Sequence, residues 1–552
     1  MTKIFSARAI ITMNPGQPRA THIAVRDGRI LAVGRKENIS SWEASFGPCE
    51  LDPQFHDKVI LPGFVEGHAH LFEGMLWDHI YVGFYDRQGP DGTIWPGLKS
   101  IEDVVARLQQ IRAQDPLSTK PLVAWGFDPI FFGERRLNAA DLDQVATDCP
   151  VLVFHASLHI VNTNQYIIDK AGVDASDNSE FLRRDDHGKL TGEFLGQMGM
   201  FLAARSSGMD LFASANAEHV IHNFAAVGQR AGVTTTTDLA NSLSDDAVST
   251  LSRVTRQPDF PMRLVVAHSA NGIEADQGIA RLAEVADQQN EKLVMNSIKL
   301  VADGSIQGFS ARLRWPYYHN GAPNGLWYID PDRLTQLIDS YHRAGIQIHV
   351  HTNGDAATDA ALDAFEAALG NHYRADHRHM LQHCQMADRA QFRRMKALGV
   401  GVNLFSNHIF YWGDQHLNMT MGPDRAHRLD NAGCALREGV AMTIHSDAPV
   451  TALAPLFTAW CAVNRLTSSG HTLGSDAEKI SIDEALEAIT LGAAYSLKMD
   501  HLIGSLEIGK YADFAVLDHD PTDIEPETLK DIHVHATVVG GLAFVNENIA
   551  SA

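Results

Sequence analysis

The chain has 552 residues, 45% of them hydrophobic, and a formal net charge of −22. That length implies more than one structural unit, or one large barrel with insertions, and the apolar content is enough for a substantial core. The acidic balance excludes a general binder of nucleic acid or of anionic membrane, because a phosphate-rich partner would be repelled.

Five dispersed cysteines (Cys49, Cys149, Cys384, Cys434, Cys461) with no CxxC pair suggest reduced thiols in a cytoplasmic protein. The first residues, MTKIFSARAIITMNPG, lack the long apolar core of a signal peptide. No apolar run is long enough to span a bilayer. The expectation is a soluble cytoplasmic chain with a small-molecule partner, neither nucleic acid nor membrane. Homo-oligomerisation is left open.

Residues 1–60 suggest short strands, with a hairpin signal at Asp27-Gly28 inside THIAVRDGRILAVG. The C-terminal residues 503–552 show matching short β runs broken by glycines. Neither end is long enough for a good core alone, so the two are expected to combine into one small β-sandwich.

The stretch 59–72, VILPGFVEGHAHLF, is predicted as a strand that turns at Pro62-Gly63, resumes and closes on His68 and His70. Residues two apart in a strand face the same way, so two neutral imidazoles at that spacing form one edge of a metal site. A pair of unremarkable core or surface histidines would read the same in isolation. Residues 75–220 are rich in aromatics, among them Trp77, Tyr81, Phe84, Tyr85, Trp95, Trp125, Phe127, Phe131 and Phe132. They are predicted to be an insertion capping the mouth of the central domain, with plain core packing as the bland account of each ring.

From residue 216 helix and strand alternate. Strands are predicted at VTTTTDLA, RLVVAHS, SIKLVADG, IQIHVHT, RHMLQHC, VGVNLFS and VAMTIHSDAPV, with helices between them. Counting the HxH strand first, this makes about eight β units over 61–502, the signature of an α/β fold with a (β/α)8 TIM-like barrel. A doubly wound open sheet is the rival, but no GxGxxG follows the first strand.

In such a barrel the chemistry gathers where strands end. The polar residues there are His68 and His70, Lys299 and Asp303, His349 and His351, His383, and His445 and Asp447. The motifs PGFVEGHAHL, HASLHIVNTN, IKLVADGSIQGFSA, HTNGDAATDAALDAFE, LQHCQ, HSDAPV, AVNR and GSLEIGKYADFAVLD together resemble the amidohydrolase superfamily. The likeness is to amidohydrolase family 3, the group with YtcJ-like proteins and N-substituted formamide deformylases, and covers nearly the whole chain.

The resemblance implies a barrel holding one or two metal ions, usually zinc. His68 and His70 would bind one ion with Asp447 as a further ligand, and His351 and His383 the second. Lys299 would bridge them as a carbamate formed with carbon dioxide. A charged ammonium repels a cation, whereas burial lowers a lysine's pKa and frees the amine to react. The bland account is a buried ion pair of Lys299 with a carboxylate such as Asp303. The resemblance places the fifth-strand ligand just before Thr-Asn-Gly-Asp, which selects His351 and leaves His349 as a packed or supporting residue. His445 departs from the glycine often found before Ser-Asp.

The implied reaction is hydrolysis of an amide or N-acyl C–N bond by a metal-activated water. Asp447 carries the proton, and His159 assists at the carbonyl oxygen. An ester, lactone or carbamate would use the same centre, and a decarboxylase or isomerase is a rival on the same scaffold. The stretch NLFSNHIFYWGDQH, with Phe405, Phe410, Tyr411 and Trp412, suggests an apolar or aromatic substituent over the metals. Arg312, Arg314, Arg425 and Arg465 are the candidate anion clamps.

Overall fold

The computed structural model describes residues 1–133, 135–158, 160–173, 179, 181–209 and 216–546. They form two compact units, one of the described residues within 1–70 and 228–546 and the other of those within Leu71–Val227.

The larger unit holds an eight-stranded, all-parallel sheet. Its strands are β1 (Phe64–Glu66), β2 (Val233–Asn241), β3 (Arg263–Ser269), β4 (Leu293–Val301), β5 (Gln347–Thr352), β6 (Met380–His383), β7 (Gly401–Leu404) and β8 (Met442–Ile444). They lie side by side in sequence order. With no reversal of order there is no topological switch point, which removes the doubly wound alternative. The sheet curls. Past the ends of its first and last strands Ala69 pairs with Ala448 in a parallel bridge, and the His70 N–H donates to Ala448 O at 2.9 Å.

The strands are near-continuous apolar runs because helices cover them. Those helices include Asp245–Thr255, Ala275–Glu284, Pro331–Arg343, Asp355–Asn371 and Arg389–Leu398. Their starts are written in the sequence. Asp388 accepts from the Gln391 N–H while Gln391 reaches back to the Asp388 N–H, a reciprocal cap that satisfies two otherwise orphaned amides.

Strands from both ends of the chain join in a second, eight-stranded sheet, with Val59–Pro62 between Thr2–Ile11 and Phe514–Leu517. The Asp27-Gly28 hairpin forms as predicted, both residues at positive φ. Phe5, Ile23, Phe55, Ile60, Phe514 and Val538 fill its core. A bidentate ion pair of buried Arg263 and Asp513 (2.6 and 3.1 Å) fastens this sheet to β3.

The HxH stretch differs from the single strand expected. Val59–Pro62 belongs to the terminal sheet, β1 starts at Phe64 in the parallel sheet, and Gly63 is the crossover. A Cβ there would lie 2.1 Å from Thr234 Oγ1, so only glycine lets the chain change sheets so close to β2. β1 ends at Glu66, and His68 and His70 sit on the segment just beyond it.

The smaller unit carries a six-stranded mixed sheet. Its aromatics pack on one another: Trp125 meets Tyr81 and Trp77 edge-on at 5.0 and 5.1 Å, and Phe127 stacks on Phe132 at 4.7 Å. These rings are the unit's own core.

Candidate functional site

The strand ends of the larger unit bring five of the six predicted ligands into one buried cluster. His68 Nε2 and His70 Nε2 each lie 3.4 Å from Asp447 Oδ1. His383 Nδ1 is 4.0 Å from Asp447 Oδ2, and its ring is 4.6 Å from that of His68. Lys299 Nζ is 3.2 Å from His68 Nε2. His351 reaches the group through His383, the two rings 4.4 Å apart, while its Nε2 lies 3.2 Å from Gly304 O. His159 lies outside the described residues. Asn162, from the same motif, accepts from His155 at 2.5 Å and donates to Leu137 O, both contacts inside the smaller unit.

Several residues that the sequence reading missed hold the cluster in place. Gln382 Oε1 accepts from His68 Nδ1 at 2.9 Å and from Asn403 Nδ2 at 2.9 Å, and its amide nitrogen donates to His349 Nδ1 at 2.9 Å. That assignment keeps the His68 proton on Nδ1 and turns the Nε2 lone pair toward Lys299 and Asp447. His349 is thereby a supporting residue. Glu66 accepts from the His68 N–H at 3.1 Å and from the Ser446 hydroxyl at 2.7 Å, tying the histidine segment to the one carrying Asp447. Asp238, at the end of β2, lies 4.0 Å from His70 Nδ1. A polar residue in an apolar strand is the cue that singled out Lys299, and it applies equally to Gln382.

Burial sets the protonation states. It lowers His68 and His383 well below the usual imidazole range, Lys299 adding to the effect, so both rings are neutral. It lowers Lys299 to about 7, opposed only by Asp447. It raises Glu66 to about 8. Asp303 is not the partner of Lys299: its oxygens accept the N–H groups of Asn353 and Gly354, at the start of helix Asp355–Asn371, and of Arg312, each at 2.9 Å. The Thr-Asn-Gly-Asp motif is therefore a docking device. A Cβ on Gly354 would lie 1.9 Å from Arg312 O, and the Asn353 amide donates to Gly304 O.

The donor set fits a divalent cation. His68 Nε2 and Asp447 Oδ1 both carry lone pairs and face each other at 3.4 Å. Among the described residues Asp447 Oδ1 and His383 Nδ1 have no hydrogen-bond partner although both are buried. His383 and Asp447 also hold positive φ values of 69° and 53°.

The family model for the amidohydrolase family matches residues 56–543. The chain belongs to the amidohydrolase family. It is 25% identical to the N-substituted formamide deformylase of Arthrobacter pascens, across 95% of this chain and 94% of that one. It is 24% identical to the putative amidohydrolase YtcJ of Bacillus subtilis, across 98% and 99%. In fold it is similar to an uncharacterized metal-dependent hydrolase of Pyrococcus horikoshii, with a TM-score of 0.72 at 19% identity over 95% and 99% of the two chains.

Two sets of predicted contacts are reassigned. Arg465 is fully buried and donates to the carbonyls of Leu473, Asp430, His427 and Leu429, while Arg314 pairs with Asp359 and Asp388. Neither guanidinium is available as a clamp. Trp412 is buried and Phe410 packs on Phe457 and Trp460, whereas Phe405 lies directly against the rings of His383 and His408. All five cysteines are free thiols, and among the described residues no helix is long and apolar enough to cross a membrane.

Proposed function

We propose that this amidohydrolase is a metal-dependent enzyme that cleaves an amide or N-acyl C–N bond of a small, largely apolar substrate, with water as nucleophile. The observation that carries the reading is the facing pair of lone-pair atoms, His68 Nε2 and Asp447 Oδ1, with His70 Nε2 equally close to the same oxygen. His68, His70 and Asp447 would hold one ion, and His351 and His383 a second. Nitrogen and carboxylate donors together suit zinc. A bound divalent cation supplies a water of near-neutral pKa and a polarised substrate carbonyl.

The chain's own groups do the rest. Lys299, lowered to about 7 by burial, presents a neutral amine at ordinary pH. With carbon dioxide that nitrogen would form a carbamate, the new N–C bond forming as one N–H proton passes to water, and its carboxylate would supply anionic oxygens to the ions. Asp447 accepts a proton from the attacking water and returns it to the leaving nitrogen as the C–N bond breaks. Gln382 and Glu66 keep His68 and the Asp447 segment in register. His159 is the donor assigned to the carbonyl oxygen, on the strength of its motif. The same proposal takes the curled sheet as a closed (β/α)8 barrel beside a small β-sandwich.

The relative named as an N-substituted formamide deformylase supports C–N cleavage over ester or lactone cleavage. The test is a panel of N-formyl and N-acyl amides, esters and carbamates, assayed before and after chelation and again after adding zinc. Amine and acid should appear only in the metal-replete protein. Turnover that survives chelation, or a product that is not hydrolytic, would sink the reading.

A further inference from the structure

One imidazole of the cluster, His445, takes no part in the chemistry above. It stands two residues before Asp447 at the end of β8 and is fully buried. Its ring lies nearly parallel to that of His68 (4.6 Å, 16°) and to that of Phe405 (4.9 Å, 20°), and 4.9 Å from that of His383. Among the described residues neither of its nitrogens has a hydrogen-bond partner.

A neutral imidazole has one N–H and one lone pair, and leaving buried polar groups unpaired costs about 1–3 kcal/mol each. A phenylalanine would fill the same flat slot without that cost, so packing does not account for a histidine here. His342 and His379, buried at the other end of β6, are by contrast satisfied by their shared hydrogen bond at 2.9 Å. His68, His383 and His445 each bring a donor atom within 4.8 Å of the other two, all three buried. Nitrogens bound about 2.1 Å from one zinc-sized ion lie roughly 3–4 Å apart, so modest side-chain movement closes this set around a cation.

We propose that His445 is a further metal ligand, taking a zinc-class divalent ion together with His68 and His383. The inference rests on the cluster being a metal centre and adds a ligand to it. His68 commits its Nδ1 proton to Gln382 and so has one lone pair to give. The set with His383 and His445 and the set with His70 and Asp447 are therefore overlapping cradles for one ion. A neutral His383 likewise has one lone pair to give, so in this cradle it serves the His68 ion in place of the second one, and His445 adds affinity there.

The test compares the full-length wild type with His445→Phe, which keeps a flat ring beside His68 and Phe405. Zinc and cobalt(II) affinities come from competition with a chelator, stoichiometry from elemental analysis, and imidazole ligation from X-ray absorption of the bound cobalt. The variant should bind metal more weakly by at least the roughly 10–100-fold that loss of even an outer-shell partner produces. Its imidazole scattering should fall, while the metal-free variant melts no lower than the metal-free wild type. Equal affinity with unchanged scattering overturns the assignment and leaves the hydrolase reading standing. A wild type that binds neither metal overturns that reading as well. Should His445→Phe fail to fold, His445→Asn, which also removes the imidazole, is judged by the same two readouts.

Discussion

Two groups of histidines lie at the two ends of β6. His377 and His379 precede the strand, with His342 beside them, and His383 closes it against His68 and His445. The named residues of both groups are buried, and each group draws on an HxH pair, 377–379 in the first and 68–70 in the second. In the first group the hydrogen bonds close. The Ile348 N–H donates to His379 Nδ1 at 3.1 Å, and His379 Nε2–H to His342 Nδ1 at 2.9 Å. His342 Nε2–H then donates to His372 O at 2.6 Å. His377 takes the His379 N–H at 3.0 Å and donates to Leu398 O at 2.9 Å. No lone pair is left for a cation. In the second group the lone pairs face one another, and nitrogens of His383 and His445 are unpartnered among the described residues. Proximity of histidines does not make a metal site; unspent lone pairs do.

That contrast can be broken or sharpened by experiment, most forcefully at the proton carrier. Asp447→Asn should lower kcat by about 10²–10⁴-fold, the span of general acid–base catalysis, with an unchanged far-ultraviolet circular dichroism spectrum. An active Asp447→Asn enzyme would remove the proton carrier. Next comes Lys299→Met. Metal content after dialysis should drop, with affinity weakened by roughly 10–100-fold or more. The metal-free variant should melt no lower than wild type, since a buried amine has been replaced by an apolar chain of similar length.

At the other end of β6 the expected effect is on stability. His379→Phe orphans the Ile348 N–H and the His342 Nδ1 acceptor, costing about 2 kcal/mol or more in urea unfolding, with kcat per folded molecule unchanged. A loss of metal in that variant would blur the distinction drawn here.

Acid should find the same group. Burial lowers the pKa values of His342, His377 and His379, neighbouring imidazoles and Arg374 adding to the effect, so the folded state binds fewer protons than the unfolded chain. Their contribution is complete above the unfolded histidine pKa of about 6.5 and is lost as pH falls below it. The unfolding midpoint of metal-loaded protein should therefore drop between roughly pH 7 and 5, and drop less in a variant lacking one of these rings. The smallest effect is expected at Arg314→Gln. Its pairs with Asp359 and Asp388 are partly exposed, so stability should change by about 1 kcal/mol or less and KM not at all.

Much of this protein was legible in its sequence. Alternating apolar strands and helices place eight parallel strands in order, and the polar exceptions at their ends mark His68, His70, Lys299, Asp303, His349, His351, His383, His445 and Asp447, from which the family resemblance alone selects the proposed ligands. Sequence could not separate HAH at 68–70 from HRH at 377–379, since the two patterns present the same residues at the same spacing. Nor could it show that Asp303 caps a helix instead of pairing with Lys299, that Arg465 is spent on carbonyls, or that Gln382 sets the tautomer of His68. Those outcomes depend on which groups from distant parts of the chain meet out of water. A buried donor or acceptor must find its partner in space, and the chain order of residues does not say which partner that is.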